Sequence, residues 1–94
     1  MIRITDLKLT ASNDKDRRTG LLGWLQLELD GSLVVDGITL RRTLDGRHAL
    51  SFPTRIDGTG RERPYVRPID DATRRDLEQQ VFERLGLEEH GRRR

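Results

Sequence analysis

Alternating leucines that run into an Asp-Gly pair are the feature that most restricts how this chain can fold. Leucine occupies positions 25, 27 and 29, with polar residues between, so one face of an extended segment is apolar. Asp30-Gly31 follows directly and is typical of a two-residue β-hairpin turn. The pattern predicts a strand over 21–29, a tight turn, and a returning strand from Leu33 to Leu40.

The same reasoning divides the rest of the first two thirds of the chain. Alternation predicts a first strand through residues 2–9 with a bulge or a bend at Thr5-Asp6, where the apolar phase slips. A polar loop is expected over 11–20 and a turn at Asp45-Gly46. A fourth strand is expected over 48–52, and Pro53 stops it. Residues 54–62 are expected to form a Gly-rich loop, and 62–67 a short edge strand.

The last third of the chain is predicted to form one helix. Asp70 or Asp71 is expected to cap a helix of about fifteen residues, and Gly86 is expected to end it. Apolar side chains recur at four-residue spacing from Leu77, so one stripe faces the sheet. We therefore predict an α+β fold: an antiparallel sheet of four to five strands followed by one C-terminal helix. We expect residues 1–86 to form a single domain and residues 87–94 to form a basic, frayed tail.

Composition limits the size of the core. Only 33% of the residues are hydrophobic and 36% are charged, a small apolar supply for 94 residues. We therefore expect a homodimer, in which a second copy completes the core. There is no cysteine, no stretch long enough to span a membrane, and no signal-peptide pattern at the N-terminus. These observations predict a cytoplasmic protein.

Charge is unevenly distributed along the chain. Residues 41–67 hold seven arginines and three acids, a net charge of +4, whereas residues 70–89 hold seven acids and three arginines, a net charge of −4. A basic centre beside an acidic helix could steer a polyanion to one face. The alternatives are solvated faces, or arginines that form salt bridges to the helix.

The segment after the fourth strand carries a resemblance to a known family. It combines proline, a small hydroxyl residue, a basic residue, glycine, arginine, and a Pro-Ile pair before the helix. With the opening Thr-Asp-Leu-Lys-Leu at 5–9, this pattern resembles SpoVG, the stage V sporulation protein G or septation regulator family of bacteria. The matching positions in the later segment are Pro53, Thr54, Arg55, Gly60, Arg63, Pro68 and Ile69.

The chain also departs from the pattern of that family. Ile56 stands where a second basic residue is usual, Arg67 replaces a histidine, and Pro64 replaces an acid. The first loop is longer, and the tail is basic instead of acidic. The resemblance implies a small dimeric α+β protein that binds DNA, and sometimes RNA, and that influences septum formation and gene expression.

Arginines of the central segment are the candidate nucleic-acid-binding residues. Arginine suits bidentate contact with phosphate, and Arg55 and Arg63 flank the expected loop. Three further arginines surround a hairpin tip and could extend the surface: Arg41, Arg42 and Arg47. Trp24 and Tyr65 have two roles open to them, stacking on bases or packing in the core or a dimer interface.

Other kinds of site have little support in the sequence. The two histidines, His48 and His90, do not have metal-ligand spacing, and no set of serine, histidine and carboxylate indicates acyl transfer. We expect no enzyme activity, no cofactor, no metal and no small-molecule substrate. The alternative function is a protein-interaction module of the division machinery that does not bind nucleic acid.

Overall fold

The structure, a computed structural model, describes residues 2–87 and has the predicted α+β fold. Four strands form one antiparallel sheet in the order β1-β2-β3-β4, and two short strands form a separate hairpin. The principal helix follows the hairpin. The elements are β1 Ile4–Ala11, α1 Asp14–Arg18, β2 Leu21–Leu29, β3 Leu33–Arg42, β4 His48–Ser51, β5 Thr54–Ile56, β6 Glu62–Pro64 and α2 Asp71–Leu85.

The turn between β2 and β3 lies at the predicted Asp-Gly pair, but Leu29 pairs with Leu33, so three residues separate the strands instead of the expected two. Asp30 and Gly31 both have positive φ, 52° and 63°, and the Ser32 N–H donates to the Leu29 carbonyl at 2.9 Å. Two left-handed residues in succession define a type I′ turn, whose twist matches that of the strands it joins.

Bulges keep the apolar side chains on one face of the sheet, whose ladders have three register shifts, one of them in β2 between Leu21 and Gly23. The pairing of β1 with β2 shifts between Ile4 and Asp6, as the sequence predicts. A second shift lies in β3, where Val35 pairs with Leu27 but Ile38 pairs with Leu25. β3 has one extra residue at Asp36-Gly37, between these two pairs, and Gly37 has φ 77°. Without it, the side chains after the bulge would point to the opposite face.

Both ends of α2 follow the sequence signals. Asp70 caps the N-terminus by accepting a hydrogen bond from the Thr73 N–H at 2.8 Å. Gly86 ends the helix with φ 73°, and the Leu87 N–H donates to the Phe82 carbonyl at 2.8 Å. This is a Schellman motif, and Leu87, which was predicted to belong to the tail, packs against the core. Residues 88–94, including His90 and Arg92–Arg94, lie outside the described residues.

The core lies between α2 and one face of the four-stranded sheet. The helix contributes three buried side chains to it, and the four strands contribute the others. The buried apolar residues are Ile4, Leu25, Leu27, Ile38, Leu40, Leu50, Leu77, Val81 and Phe82. The other face of the sheet carries no helix among residues 2–87, so the described part of the molecule has two layers.

The loop expected over 11–20 contains a short helix, α1. The Asn13 side chain caps it by accepting from the Asp16 N–H at 2.8 Å. Acids in its first turn and basic residues in its last turn suit the helix dipole. Within residues 2–87, neither helix combines the length and apolar character needed to cross a membrane.

Candidate nucleic-acid interface

Residues 54–64 form a β-hairpin, where the sequence had predicted a loop as far as residue 62. The Asp57 N–H donates to the Arg61 carbonyl at 2.9 Å, and the Gly60 N–H donates to the Asp57 carbonyl at 3.0 Å. Gly60 has φ 82°, the left-handed conformation that closes this class of turn. The two glycines that indicated an irregular loop therefore belong to a specific hairpin turn.

This hairpin brings Arg55 and Arg63 together. They are directly opposite partners in the β5–β6 ladder, so both side chains extend from the same face. Both residues are exposed. Two like charges in opposite positions repel, so this pair needs a counter-charge, supplied by the protein or by a ligand.

Asp57 supplies part of that counter-charge. Its Oδ2 accepts from Arg63 Nε at 2.6 Å, while its Oδ1 accepts from the Thr59 N–H, the Thr59 hydroxyl and the Arg61 N–H at 2.8, 2.6 and 3.1 Å. These bonds, first those from Thr59 and then those from Arg61 and Arg63, lower the pKa of Asp57 to about 2. Asp57 therefore holds the turn and orients Arg63 at the same time.

Arg55 has no carboxylate partner within residues 2–87. Among residues 2–87, no acid of α2 forms an ion pair with Arg55, and one of those acids, Glu78, is bonded to other groups. Glu78 lies 3.4 Å from Arg74 Nη1 and accepts from the Leu50 N–H at 3.3 Å. The positive charge of Arg55 consequently remains available on the surface of the hairpin.

The turn between β3 and β4 resembles the one in the β5–β6 hairpin. The Thr43 N–H donates to the Arg47 carbonyl at 2.8 Å, and Gly46 has φ 89°. Hydrogen bonds, first from the Thr43 hydroxyl and then from Arg47, lower the pKa of Asp45. Arg47 Nε lies 3.6 Å from the same carboxylate in an exposed ion pair, a kind that contributes little to stability.

The three arginines of this hairpin do not form a single patch. Arg41 and Arg42 are consecutive residues of β3 and point to opposite faces of the sheet. Arg41 shares its face with Thr39, away from α2. Arg42 lies on the side of α2, beside a hollow lined by Leu40 and Leu85. The structure thus unites Arg55 with Arg63 but separates Arg41 from Arg42.

A cleft between the β3–β4 hairpin and α2 contains basic residues that the sequence did not single out. It has a volume of about 430 Å³, and Arg74 and Arg75 line it together with Arg47 and His48. Asp71 and Glu78 also line it, so its charge is mixed. The Nδ1 atom of His48 is buried without a hydrogen-bond partner among residues 2–87. Only the packing of α2 beside β4 reveals this cleft, because the residues that line it are far apart in sequence.

Among residues 2–87, no cluster of three or more histidine, aspartate or glutamate side chains has the geometry of a metal site. No protein-family model matches the sequence, and a comparison with the curated proteins gives no match.

Proposed function

We propose that this protein is a nucleic-acid-binding regulator of the SpoVG kind, which binds DNA, and RNA as a second ligand, through arginines directed at the phosphate backbone. The observation that carries the proposal is the Arg55–Arg63 pair, which places two guanidinium groups on one exposed hairpin face. A role in septum formation or gene expression is the part of the proposal that rests on the sequence resemblance alone, and the cytoplasmic location rests on the composition of the chain.

The geometry supports phosphate as the ligand for a physical reason. Two arginines in opposite positions repel until an anion lies between them, and the Asp57 carboxylate forms an ion pair with Arg63 alone of the two. Guanidinium groups bind phosphate through two parallel hydrogen bonds, so a phosphodiester is a suitable bridging anion. Contacts of this kind carry no sequence information, which fits a ligand read by its backbone.

Binding of a fluorescent DNA duplex at two salt concentrations tests the proposal. Arg55→Ala and Arg63→Ala should each weaken binding, and each should reduce the slope of log K against log salt by about 0.9 for every phosphate that the variant no longer neutralises. Arg18→Ala, which removes an exposed arginine of α1, is the matched control for net charge. Unchanged affinity in both hairpin variants would show that the binding site lies elsewhere. Absence of binding at low salt would refute the proposed function.

A homodimer is also part of the proposal. Only nine apolar side chains are buried within residues 2–87, whereas several large ones are exposed, among them Ile69 at 84% and Leu33 at 66%. Ile69 borders an apolar hollow of about 230 Å³ that also includes Val66 and Pro68. Burial of such side chains against a second copy would remove apolar area from water. Light scattering should give twice the chain mass, and a monomer at micromolar concentration would refute the dimer.

The apolar residues Val66, Pro68 and Ile69 also favour the second candidate function, a protein-interaction module of the division machinery. Patches of this kind mark contact sites for other proteins. Capture of a cell-division protein that persists after nuclease treatment, and that Ile69→Lys abolishes, would support this role. If the same preparation shows no DNA binding at low salt, the interaction module would replace the nucleic-acid function.

A further inference from the structure

The open face of the four-stranded sheet has one aromatic ring at its centre. Trp24 lies on β2, between the buried residues Gly23 and Leu25, and its side chain points away from α2. It is 39% exposed. Its neighbours in the same row across the sheet are small hydroxyl residues: Thr10 on β1, Thr39 on β3 and Ser51 on β4. The indole ring is therefore surrounded in this row by short polar side chains.

Two cations flank this ring on opposite sides. Lys8 lies two residues before Thr10 on β1, and Arg41 lies two residues after Thr39 on β3, so both share the face of Trp24. Strands β1 and β3 run in the same direction, because each is antiparallel to β2. The two cations therefore lie diagonally across the ring, with their Cα atoms roughly 16 Å apart from strand and residue spacings.

Neither cation is neutralised by an ion pair within the described chain. Two carboxylates of the same face, Asp6 and Glu28, lie opposite each other in the β1–β2 ladder, toward the β2–β3 turn, and Glu28 accepts from the Thr5 hydroxyl at 2.8 Å. Asp36 accepts from its neighbour Gly37 and lines a hollow of about 230 Å³ beside Trp24. Positive charge thus flanks the ring on both sides. Asp36 lines the same hollow as Lys8, whereas Asp6 and Glu28 lie farther toward the β2–β3 turn.

From this arrangement we infer that the open sheet face binds single-stranded nucleic acid, with an unpaired base stacked on Trp24 and its flanking phosphates on Lys8 and Arg41. Surfaces that bind single strands combine aromatic rings with cations. Every base has a π face that can stack on a ring, and every phosphodiester linkage carries a negative charge. The hydroxyls of Thr10, Thr39 and Ser51 can donate to or accept from base edges and sugars.

A second copy of this chain fits the face less well. Stable interfaces bury about 800 Å² on each partner, and their centres are depleted of charged residues. Here Trp24 and Val34 are the large apolar side chains exposed on the open face within residues 2–87, and lysine, arginine and carboxylates surround them. The two cations beside the ring, and not the net charge of the face, therefore favour an anionic ligand that offers a flat ring.

This inference rests on the proposed function for the class of ligand, but it assigns a different surface and a different form of nucleic acid. Trp24 is the only tryptophan of the chain, so its fluorescence reports directly on this site. The probes are thymidine and uridine oligonucleotides of about 12 nucleotides, an abasic deoxyribose-phosphate oligonucleotide of the same length, and a DNA duplex.

Quenching of Trp24 by the thymidine or the uridine oligonucleotide, and not by the abasic one, is the expected result. Trp24→Thr should weaken single-strand binding by roughly 5- to 150-fold, the factor for one stacked base, and should leave duplex binding unchanged. Trp24→Phe should restore most of the affinity, because it retains a ring. Val34→Thr, on the same face near the β2–β3 turn, is the matched control.

Absence of quenching by both base-containing oligonucleotides would overturn the inference, as would equal quenching by the abasic probe. If duplex binding through Arg55 and Arg63 persists in that case, the proposed function stands and only the sheet site fails. If Trp24 quenching occurs but the hairpin variants leave duplex binding unchanged, the sheet site stands and the hairpin site fails. A shift of Trp24 emission that depends on protein concentration alone would identify a second copy as the occupant and would refute the inference.

Discussion

Ile4 and Gln80 are joined by a hydrogen bond across 76 positions of sequence: the Ile4 N–H donates to Gln80 Oε1 at 2.8 Å. The same amide donates through Nε2 to the Ile2 carbonyl at 2.8 Å, and Arg84 Nη2 donates to the Ile4 carbonyl at 2.9 Å. Polar side chains of α2 therefore occupy backbone groups that β1, an edge strand, would otherwise expose.

Polar side chains of α2 also bond to backbone groups at the opposite edge of the sheet, on β4. Arg74 Nη1 donates to the Leu50 carbonyl at 2.9 Å, and Glu78 accepts from the Leu50 N–H. The first half of α2 thus contacts β4, and the second half contacts β1, so the helix crosses the whole sheet. Several charged and amide residues of α2 consequently have structural roles and are not simply a solvated face.

We expect Gln80→Ala to lower the free energy of unfolding by about 1–3 kcal/mol, because it leaves the Ile4 N–H, in a part-buried hydrogen bond, without its partner. Gln79→Ala is a matched control one residue away, since the Gln79 side chain donates to Glu83 on the same helix. The control should stay within about 0.5 kcal/mol of the parent protein. Urea unfolding measures both, and equal stabilities would show that this tether contributes nothing.

Two glycines should respond to alanine in opposite directions. At Gly23 a Cβ would lie 2.5 Å from the Thr10 carbonyl oxygen of the neighbouring strand, so Gly23→Ala should destabilise the protein by roughly 1–3 kcal/mol. At Gly58 a Cβ meets nothing within 4 Å, and φ is not positive, so Gly58→Ala should stabilise by about 0.4–1 kcal/mol. Thermal and urea unfolding would contradict this assignment if Gly23→Ala were neutral.

Acid should weaken the β5–β6 hairpin through one carboxylate. The pKa of Asp57 is about 2 in the folded protein and 3.8 for an ordinary aspartate, so its stabilising effect is complete above about pH 4. That effect is lost as the pH falls through 2, because protonation removes the acceptor used by Thr59, Arg61 and Arg63. Carboxyl carbon shifts measured against pH should show the Asp57 transition near 2, and a transition near 4 would refute these contacts.

The sequence was sufficient for elements whose signals are local. β2 has the predicted bounds, and α2 is capped by Asp70, one of the two expected caps, and ends at Gly86 as predicted, because a cap or a tight turn is encoded within a few neighbouring residues. β6, Glu62–Pro64, lies at the start of the edge strand predicted over 62–67. β5 and α1 were not predicted, because glycines and polar residues also compose irregular loops. The bulge at Gly37 could not be predicted without knowing which residues of β2 and β3 are opposite.

For the candidate site, the sequence identified the arginines but not their relationships. That Arg55 faces Arg63 depends on the register of a hairpin that the sequence did not predict. The separation of Arg41 from Arg42 follows from strand alternation alone and was open to prediction once β3 extended to residue 42. The bond from Arg63 to Asp57 depends on side-chain positions, which composition and spacing do not specify.

Asp57→Asn separates the two roles of that carboxylate. Asparagine keeps an oxygen where Oδ1 accepts from Thr59 and Arg61, but it places an amide where Oδ2 accepts from Arg63. Arg63 is then without its only ion pair within the described chain, and a negative charge leaves the hairpin.

If the arginine face binds phosphate, Asp57→Asn should tighten duplex binding at low salt and steepen the slope of log K against log salt by up to about 0.9, the value for one further neutralised phosphate. Asp45→Asn is the matched control, because Asp45 holds the corresponding turn between β3 and β4 and forms an exposed ion pair with Arg47. Fluorescence anisotropy at several salt concentrations measures both variants. Weaker binding by Asp57→Asn, with the hairpin intact by amide hydrogen exchange, would contradict this prediction and would show that Asp57 does not compete with phosphate for Arg63.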